Sequence, residues 1–436
     1  MATSVLRRLV TQVRLHGPGF WGAAIASLSS LRKLPTSMAT ELNKTFYRLA
    51  RLVATGLLLA TAGCADLGYY LQSVQGHLGV VRAARPVADW QADEASPQEL
   101  KDRLALAQRI RRFAVTELAL PDNASYTRYA DLQRRAVVWN VVAAPPLSLT
   151  LKTWCFAVVG CVVYRGYYEE ASARALAEQL KSEGQEVYVY GVPAYSTLGW
   201  LNWLGGDPLL NTFIHYPEAE LARLIFHELA HQVAYAKDDT TFNESFATAV
   251  ERLGGARWLA ANAEPQAREG FDQNTQRRAE FRNLVLNLRK NLEAVYQDPK
   301  IGNAQKQTDK TQALQNFRNN YQNLRGQWLG RAELTAKTAG TQPQTQSQFT
   351  TQFNHQAGRY DQWVANVNNA SLGAQAAYDD WVPALEVLFK NQQASKTPWP
   401  AFYDAVRKLA ELPKSDRKTA LERIASTAGK TAKAGD

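Results

Sequence analysis

The sequence predicts an α+β protein that is mostly α-helical. It has a small β unit beside one special helix, then a helical C-terminal region with a long helical hairpin. Three observations carry this expectation. From Arg268 onward, apolar residues recur at three- and four-residue steps, the period of a helix with one buried face. Between Ala136 and Tyr190, β-branched and aromatic runs are bounded by turn residues. Between these stretches, Leu221, Leu224, Ile225, Leu229 and Val233 form a helical stripe around His227-Glu228-Leu229-Ala230-His231.

The elements follow in order. Glu99 to Leu118 sets Leu100, Leu104, Ile110, Phe113 and Leu118 on roughly one helical face, and Leu120-Pro121-Asp122-Asn123 breaks it with turn chemistry. Ala136 to Val142 reads as a strand that ends at Pro145-Pro146. Trp154 to Tyr168 is strand-like and fits a hairpin; Glu169 to Ser182 is an Ala-rich helix; Glu186 to Tyr190 alternates as a strand. Pro193 to Trp200 is a loop rich in aromatic and hydroxyl groups, either lining a cleft or packed at the surface. Pro217 suits a first helical position, with Glu218 and Glu220 at the positive end of the dipole. Phe281, Leu284, Leu288, Leu292 and Val295, then Leu314, Phe317, Tyr321, Leu324 and Trp328 beyond Asp298-Pro299, read as two long antiparallel helices. Trp363 to Phe389 and Pro400 to Ile424 are further helices.

The expected organisation has six parts. Residues 1–37 are a non-native extension or a mis-called start, and 38–63 a lipoprotein signal peptide. Residues 64–150 are a mainly helical N-terminal region and 151–262 a core that holds the helix of His227 and His231. Residues 263–425 are a helical C-terminal region with a flexible Gln- and Thr-rich insertion at 338–356, and 426–436 a disordered tail.

The 436 residues suffice for two or three domains, and the net charge is +10. That charge is concentrated at the start. Residues 1–63 hold eight Lys/Arg and one acid, leaving 42 basic against 39 acidic residues, or +3, in the rest. No nucleic-acid partner is expected on this balance. Lys44, Arg48 and Arg51 precede an apolar run, Leu52 to Ala62, too short to span a bilayer and suited to a signal peptide. The run ends at Thr61-Ala62-Gly63-Cys64, which resembles a bacterial lipobox, with Cys64 as the lipidated residue; an ordinary secretory signal is the alternative. A start at Met38 gives this signal an ordinary length. Ala65 after Cys64, by resemblance to other lipoproteins, favours the outer membrane over the inner. The protein is thus expected on the periplasmic side of the envelope, held to the membrane through Cys64. Cys155 and Cys161 form a disulfide or remain two buried thiols.

The chemistry centres on residues 227–231. Four residues apart on a helix, His227 and His231 face one way and can reach one ion. Glu228 beside the first His can take a proton from a water at that ion. Three protein ligands with one open position make a catalytic zinc site. Glu244, in Asn243-Glu244-Ser245-Phe246-Ala247, is the expected third ligand, with Glu251 next in rank. An extended site is excluded because Ala234 and Lys237 stand where Gly and His would be needed. Asp238 or Asp239, and Asn243, are placed to orient a ligand rather than to bind; Asp239 and Asn243 are the preferred pair. Tyr235, Tyr195 and His215 are candidates for stabilising the transition state or lining the cleft. One Zn2+ and a peptide or protein substrate follow from this reading.

The phrases Leu221 to His231 and Phe242-Asn243-Glu244-Ser245-Phe246-Ala247 resemble the bacterial family called putative or predicted aminopeptidases. The likeness extends to Leu120 through Tyr126, Gly160 through Tyr167, Pro193 through Trp200 and Asn368-Asn369-Ala370, over nearly all of residues 64–425. More broadly the motif is similar to the aminopeptidase-N group. That likeness implies His227, His231 and Glu244 as zinc ligands and Glu228 as base. Two departures stand out: the gap between His231 and Glu244 is shorter, and no Gly-x-Met-Glu-Asn segment for gripping a substrate amine is present. Three classes therefore stay open: a zinc aminopeptidase, an endopeptidase or other metal hydrolase, and a non-catalytic envelope protein binding a partner through its helical region.

Overall fold

The computed structural model describes residues 68–156, 160–199, 205–262, 265–338 and 346–432. The signal segment, Met38 and Cys64 lie outside the described residues, as does Trp200. The chain divides into two units, 1–71 and 72–436. Of the first, only residues 68–71 are described, and they are helical. Among the described residues no helix is long and apolar enough to cross a membrane.

The second unit is α+β and dominated by helices, as its periodicity predicts. It opens with helical residues 72–83 (α1), β1 (Arg85–Pro86), α2 (Val87–Ala92) and the long α3 (Gln98–Leu118). Strands β2 (Arg128–Ala130), β3 (Val138–Ala144), β4 (Trp154–Phe156), β5 (Gly160–Val162) and β6 (Arg165–Tyr167) follow, then α4 (Glu170–Ser182), β7 (Glu186–Val192) and β8 (Leu209–Leu210). The candidate helix α5 (Glu218–Ala230) leads into α6 (Thr240–Asn262). The rest is helical: α7 (Pro265–Gln297), α8 (Asn303–Thr338), α9 (Gln346–Ala365), α10 (Asn369–Asp379), α11 (Val382–Lys390), α12 (Pro398–Glu411) and α13 (Lys414–Ala432).

Among the described residues the strands form three small sheets rather than one unit. β3 sits between β6 and β7, antiparallel to both. Its Val141 and Ala143 face Ala173, Ala177 and Leu180 of α4, while Val142 and Ala144 face Ala370 and Ala374 of α10. Both faces are covered, so the strand is apolar apart from Asn140, whose amide donates to the Tyr190 hydroxyl. A second sheet, β1-β2-β8, holds Tyr129, Ala130, Leu209 and Leu210 in one core with Leu221, Ile225, Phe226 and Leu229 of α5. The strand neighbouring the candidate helix in this core is therefore not the Glu186 strand that precedes it in sequence. The third sheet is the β4–β5 hairpin, in which Cys155 pairs across from Cys161 and is disulfide-bonded to it.

Helices α7 and α8 pack together as the expected hairpin, with Phe281, Leu288, Leu292, Phe317, Tyr321 and Trp328 buried between them. The segment expected as a flexible insertion differs. From Gln346 it is helical, and Phe353, Ala357 and Val364 of α9 join the hairpin core, so its aromatic residues outweigh the Gln and Thr between them. The tail differs similarly: α13 continues to Ala432, past residue 426. Asn366 to Asn368 break the helix expected over Trp363–Phe389, and Leu412-Pro413 break the one expected over Pro400–Ile424. The Asn368-Asn369 phrase is structural. Asn369 donates to the Pro145 and Pro146 carbonyls and accepts from the Tyr296 hydroxyl, fastening three elements at a buried point.

Candidate metal centre

The site is built by the antiparallel packing of α5 on α6. Pro217 precedes α5, Glu218 and Glu220 occupy its first turn, and Leu221, Ile225, Phe226 and Leu229 bury its apolar face. This leaves His227 and His231 on a shared face, with ring centroids 4.9 Å apart. Beyond His231 the chain must reverse within nine residues. Asn243 closes that turn: its side chain accepts from the Ala236 N–H at 2.7 Å and donates to the Ala236 carbonyl at 2.9 Å. The Asp239 carboxylate accepts from the Phe242 N–H at 3.2 Å at the start of α6. The neighbouring Glu244 is thereby presented to the two imidazoles.

The Glu244 carboxylate lies 3.4 Å from His227 Nε2 and 3.7 Å from His231 Nε2. Ligand atoms of the three residues all fall within 4.8 Å of one another. Tetrahedral zinc with bonds of about 2.1 Å separates its donors by about 3.4 Å. The donor set and its spacing therefore fit zinc, and these three residues could hold it. Glu251 does not join them. Its carboxylate meets the other ring nitrogen of His227, Nδ1, at 3.1 Å, and takes Arg223 at 2.6 Å. This is the arrangement in which a carboxylate fixes the tautomer and orientation of a ligating His. Seven residues separate Glu244 from Glu251, so α6 presents both to one ring, one at each nitrogen.

The electrostatics follow from burial. Burial alone would lower the His227 pKa, but Glu244 and Glu251 raise it well above its ordinary value. Burial lowers His231 to about 4. Burial raises Glu228 to about 7, against the attraction of His227. For Glu244 and Glu251 the burial penalty is outweighed, by the two histidines in the first case and chiefly by Arg223 in the second. Glu251 falls to about 2.

The other sequence candidates sit as follows. Tyr235 is half-buried and within reach of the Asp238 and Glu244 charges. Tyr195 is half-buried and meets His77 Nδ1 through its hydroxyl at 2.7 Å. His215 is exposed and lies 3.4 Å from Glu99, away from the cluster. Asp239 orients no histidine: Arg417 takes up its carboxylate. Asn243 likewise acts on the backbone of the turn, not on a ring.

Four residues escape the sequence reading. Arg223 is one. Tyr126 is fully buried, its hydroxyl has no hydrogen-bond partner, and it feels the charges of Glu228 and Asp207. Its backbone is left-handed, φ 64°, a conformation that costs a bulky L residue about 1–3 kcal/mol. Two bonds hold it there: its N–H donates to the Asp207 carbonyl at 2.7 Å, and its carbonyl accepts from Gln108 at 2.7 Å. Asp207 is buried and accepts from the Thr197 N–H at 3.1 Å and from Gln232 at 3.4 Å. Gln232, next to His231, also accepts from Asn123 at 2.7 Å and donates to the Ser125 hydroxyl at 3.1 Å. Gly206, φ 65°, permits this close approach, since a Cβ there would lie 2.5 Å from the Ser125 nitrogen.

A family model described as putative aminopeptidase matches residues 68–421, which include all of these residues. No match is found among curated proteins or among solved structures.

Proposed function

We propose that this chain, which belongs to the putative aminopeptidase family, is a zinc-dependent peptidase whose ligands are His227, His231 and Glu244 and whose general base is Glu228. One observation carries the reading: three largely buried donors stand at zinc spacing, and a buried carboxyl, raised to about 7, follows the first of them on α5. When bound, zinc would lower the pKa of a water and polarise a peptide carbonyl.

The chain's own residues supply the rest. Glu228, poised near neutral pH, can accept a proton at its carboxylate and return it to the leaving amine. Glu251 holds His227 by Nδ1, and Arg223 holds Glu251. The Tyr126 hydroxyl is free to donate to an oxygen that becomes negative beside Glu228. Tyr126→Phe is expected to lower kcat about 100-fold. Because the hydroxyl has no partner, the same change should leave the urea midpoint unchanged or slightly raised. A variant with full kcat removes Tyr126 from the mechanism.

The test of the whole reading is peptide hydrolysis by the full chain. Activity should vanish on zinc removal and return when zinc is restored. Hydrolysis that survives complete zinc removal contradicts it. The proposal includes lipid attachment at Cys64, holding the enzyme on the periplasmic face of the envelope, with the outer membrane favoured. Labelled palmitate should enter the chain and be lost in Cys64→Ser; equal labelling of both excludes that anchor.

A further inference from the structure

Four carboxylates are buried among the described residues: Asp207, Glu228, Asp239 and Glu244. Asp239 is paired with Arg417. Glu244 faces two imidazoles, and Glu228 feels His227. Asp207 alone has no cationic neighbour. Its contacts are the Thr197 N–H and the Gln232 amide, both neutral, and at 2% exposure it has almost no water. A buried carboxylate without a counter-charge is costly and calls for a cation.

Its position says which cation. Asp207 accepts from Gln232, the residue after His231, and its backbone carbonyl accepts from the Tyr126 N–H, so its negative charge acts on Glu228 and on the unpartnered Tyr126 hydroxyl. In a peptide with a free N-terminus, the α-amino nitrogen is two bonds from the scissile carbonyl carbon of the first residue. A group that holds this ammonium must therefore stand beside the base. We propose that Asp207 anchors the substrate's α-ammonium and so restricts the reaction to removal of N-terminal residues. This rests on the peptidase reading above. Burial raises the Asp207 carboxyl to about 6, which leaves it mostly ionised at neutral pH and able to pair. An internal peptide bond would bring a neutral amide to this point and leave the carboxylate uncompensated, which disfavours it.

The test compares tetra-alanine with N-acetyl-tetra-alanine by calorimetric titration of the zinc-supplied full chain. Glu228→Gln is present throughout so that neither peptide is consumed. The free peptide should bind about 30-fold tighter or more, and adding Asp207→Asn should bring the two within about threefold of each other. Asparagine keeps the shape and an acceptor for Thr197, so a merely structural role would weaken both peptides alike. Equal binding before the Asp207 change, a preference that survives it, or no binding of either peptide overturns the proposal. Zinc content and wild-type hydrolysis are measured separately. Absent zinc, or hydrolysis that survives complete zinc removal, sinks the peptidase reading. Intact zinc and hydrolysis without amine preference sink the anchor alone.

Discussion

Glu228→Gln should keep its zinc and lose about 10²–10⁴-fold in kcat, the usual contribution of a positioned general base. The residue is not among the three donors that converge, so metal content should not change. The amide also fits the space of the acid, and removing a buried ionisable group should not destabilise the fold. Elemental analysis together with steady-state kinetics on the same preparation checks both halves. A variant within threefold of wild-type kcat would show that another group moves the proton. A variant without zinc would place Glu228 among the ligands.

Arg223→Met should have the largest effect on stability. Arg223 and Glu251 form a largely buried pair at 2.6 Å, with side chains 7% and 19% exposed. Removing one partner of such a pair costs about 3–5 kcal/mol, because a buried charge loses its partner. Urea unfolding reads this directly. The same change frees the carboxylate that orients His227, and loss of such a partner weakens metal binding about 10–100-fold. Removing both charges, as in Arg223→Met with Glu251→Leu, should recover much of the stability and none of the zinc affinity. An unchanged urea midpoint in Arg223→Met, or full zinc affinity in the double variant, would contradict this account of the pair.

The local patterns were the legible part. The stripe Leu221, Ile225, Leu229 and the Pro217 start are properties of one helix, so α5 and the shared face of His227 and His231 could be read directly. The long hairpin was legible for the same reason. Glu244 was readable because only a short loop separates it from α5. Glu251 reads as a rival of Glu244, since spacing puts it on the same face but cannot say which ring nitrogen it meets. Asp239 and Asn243 lie close to His231 and Glu244 in sequence, yet one is claimed by Arg417, 178 residues away, and the other by the turn itself. Tyr126, Asp207, Arg223 and Gln232 carry no such local signal. The first two reach the site from distant segments through a left-handed residue and a glycine contact, neither of which has a periodic signal. The three-sheet arrangement was also hidden, because β1, β2 and β8 are two or three residues long and pair only through tertiary contacts. The helix at Gln346 was masked by polar composition, although Phe353, Tyr360 and Trp363 supply its buried face.

The central claim is a zinc site formed by His227, His231 and Glu244. Zinc per chain, measured by elemental mass spectrometry on the full chain and on His231→Ala, tests it most directly. The account predicts close to one zinc per chain in the first and almost none in the second. No zinc in the unaltered chain, even after zinc is supplied and the excess removed, would contradict it.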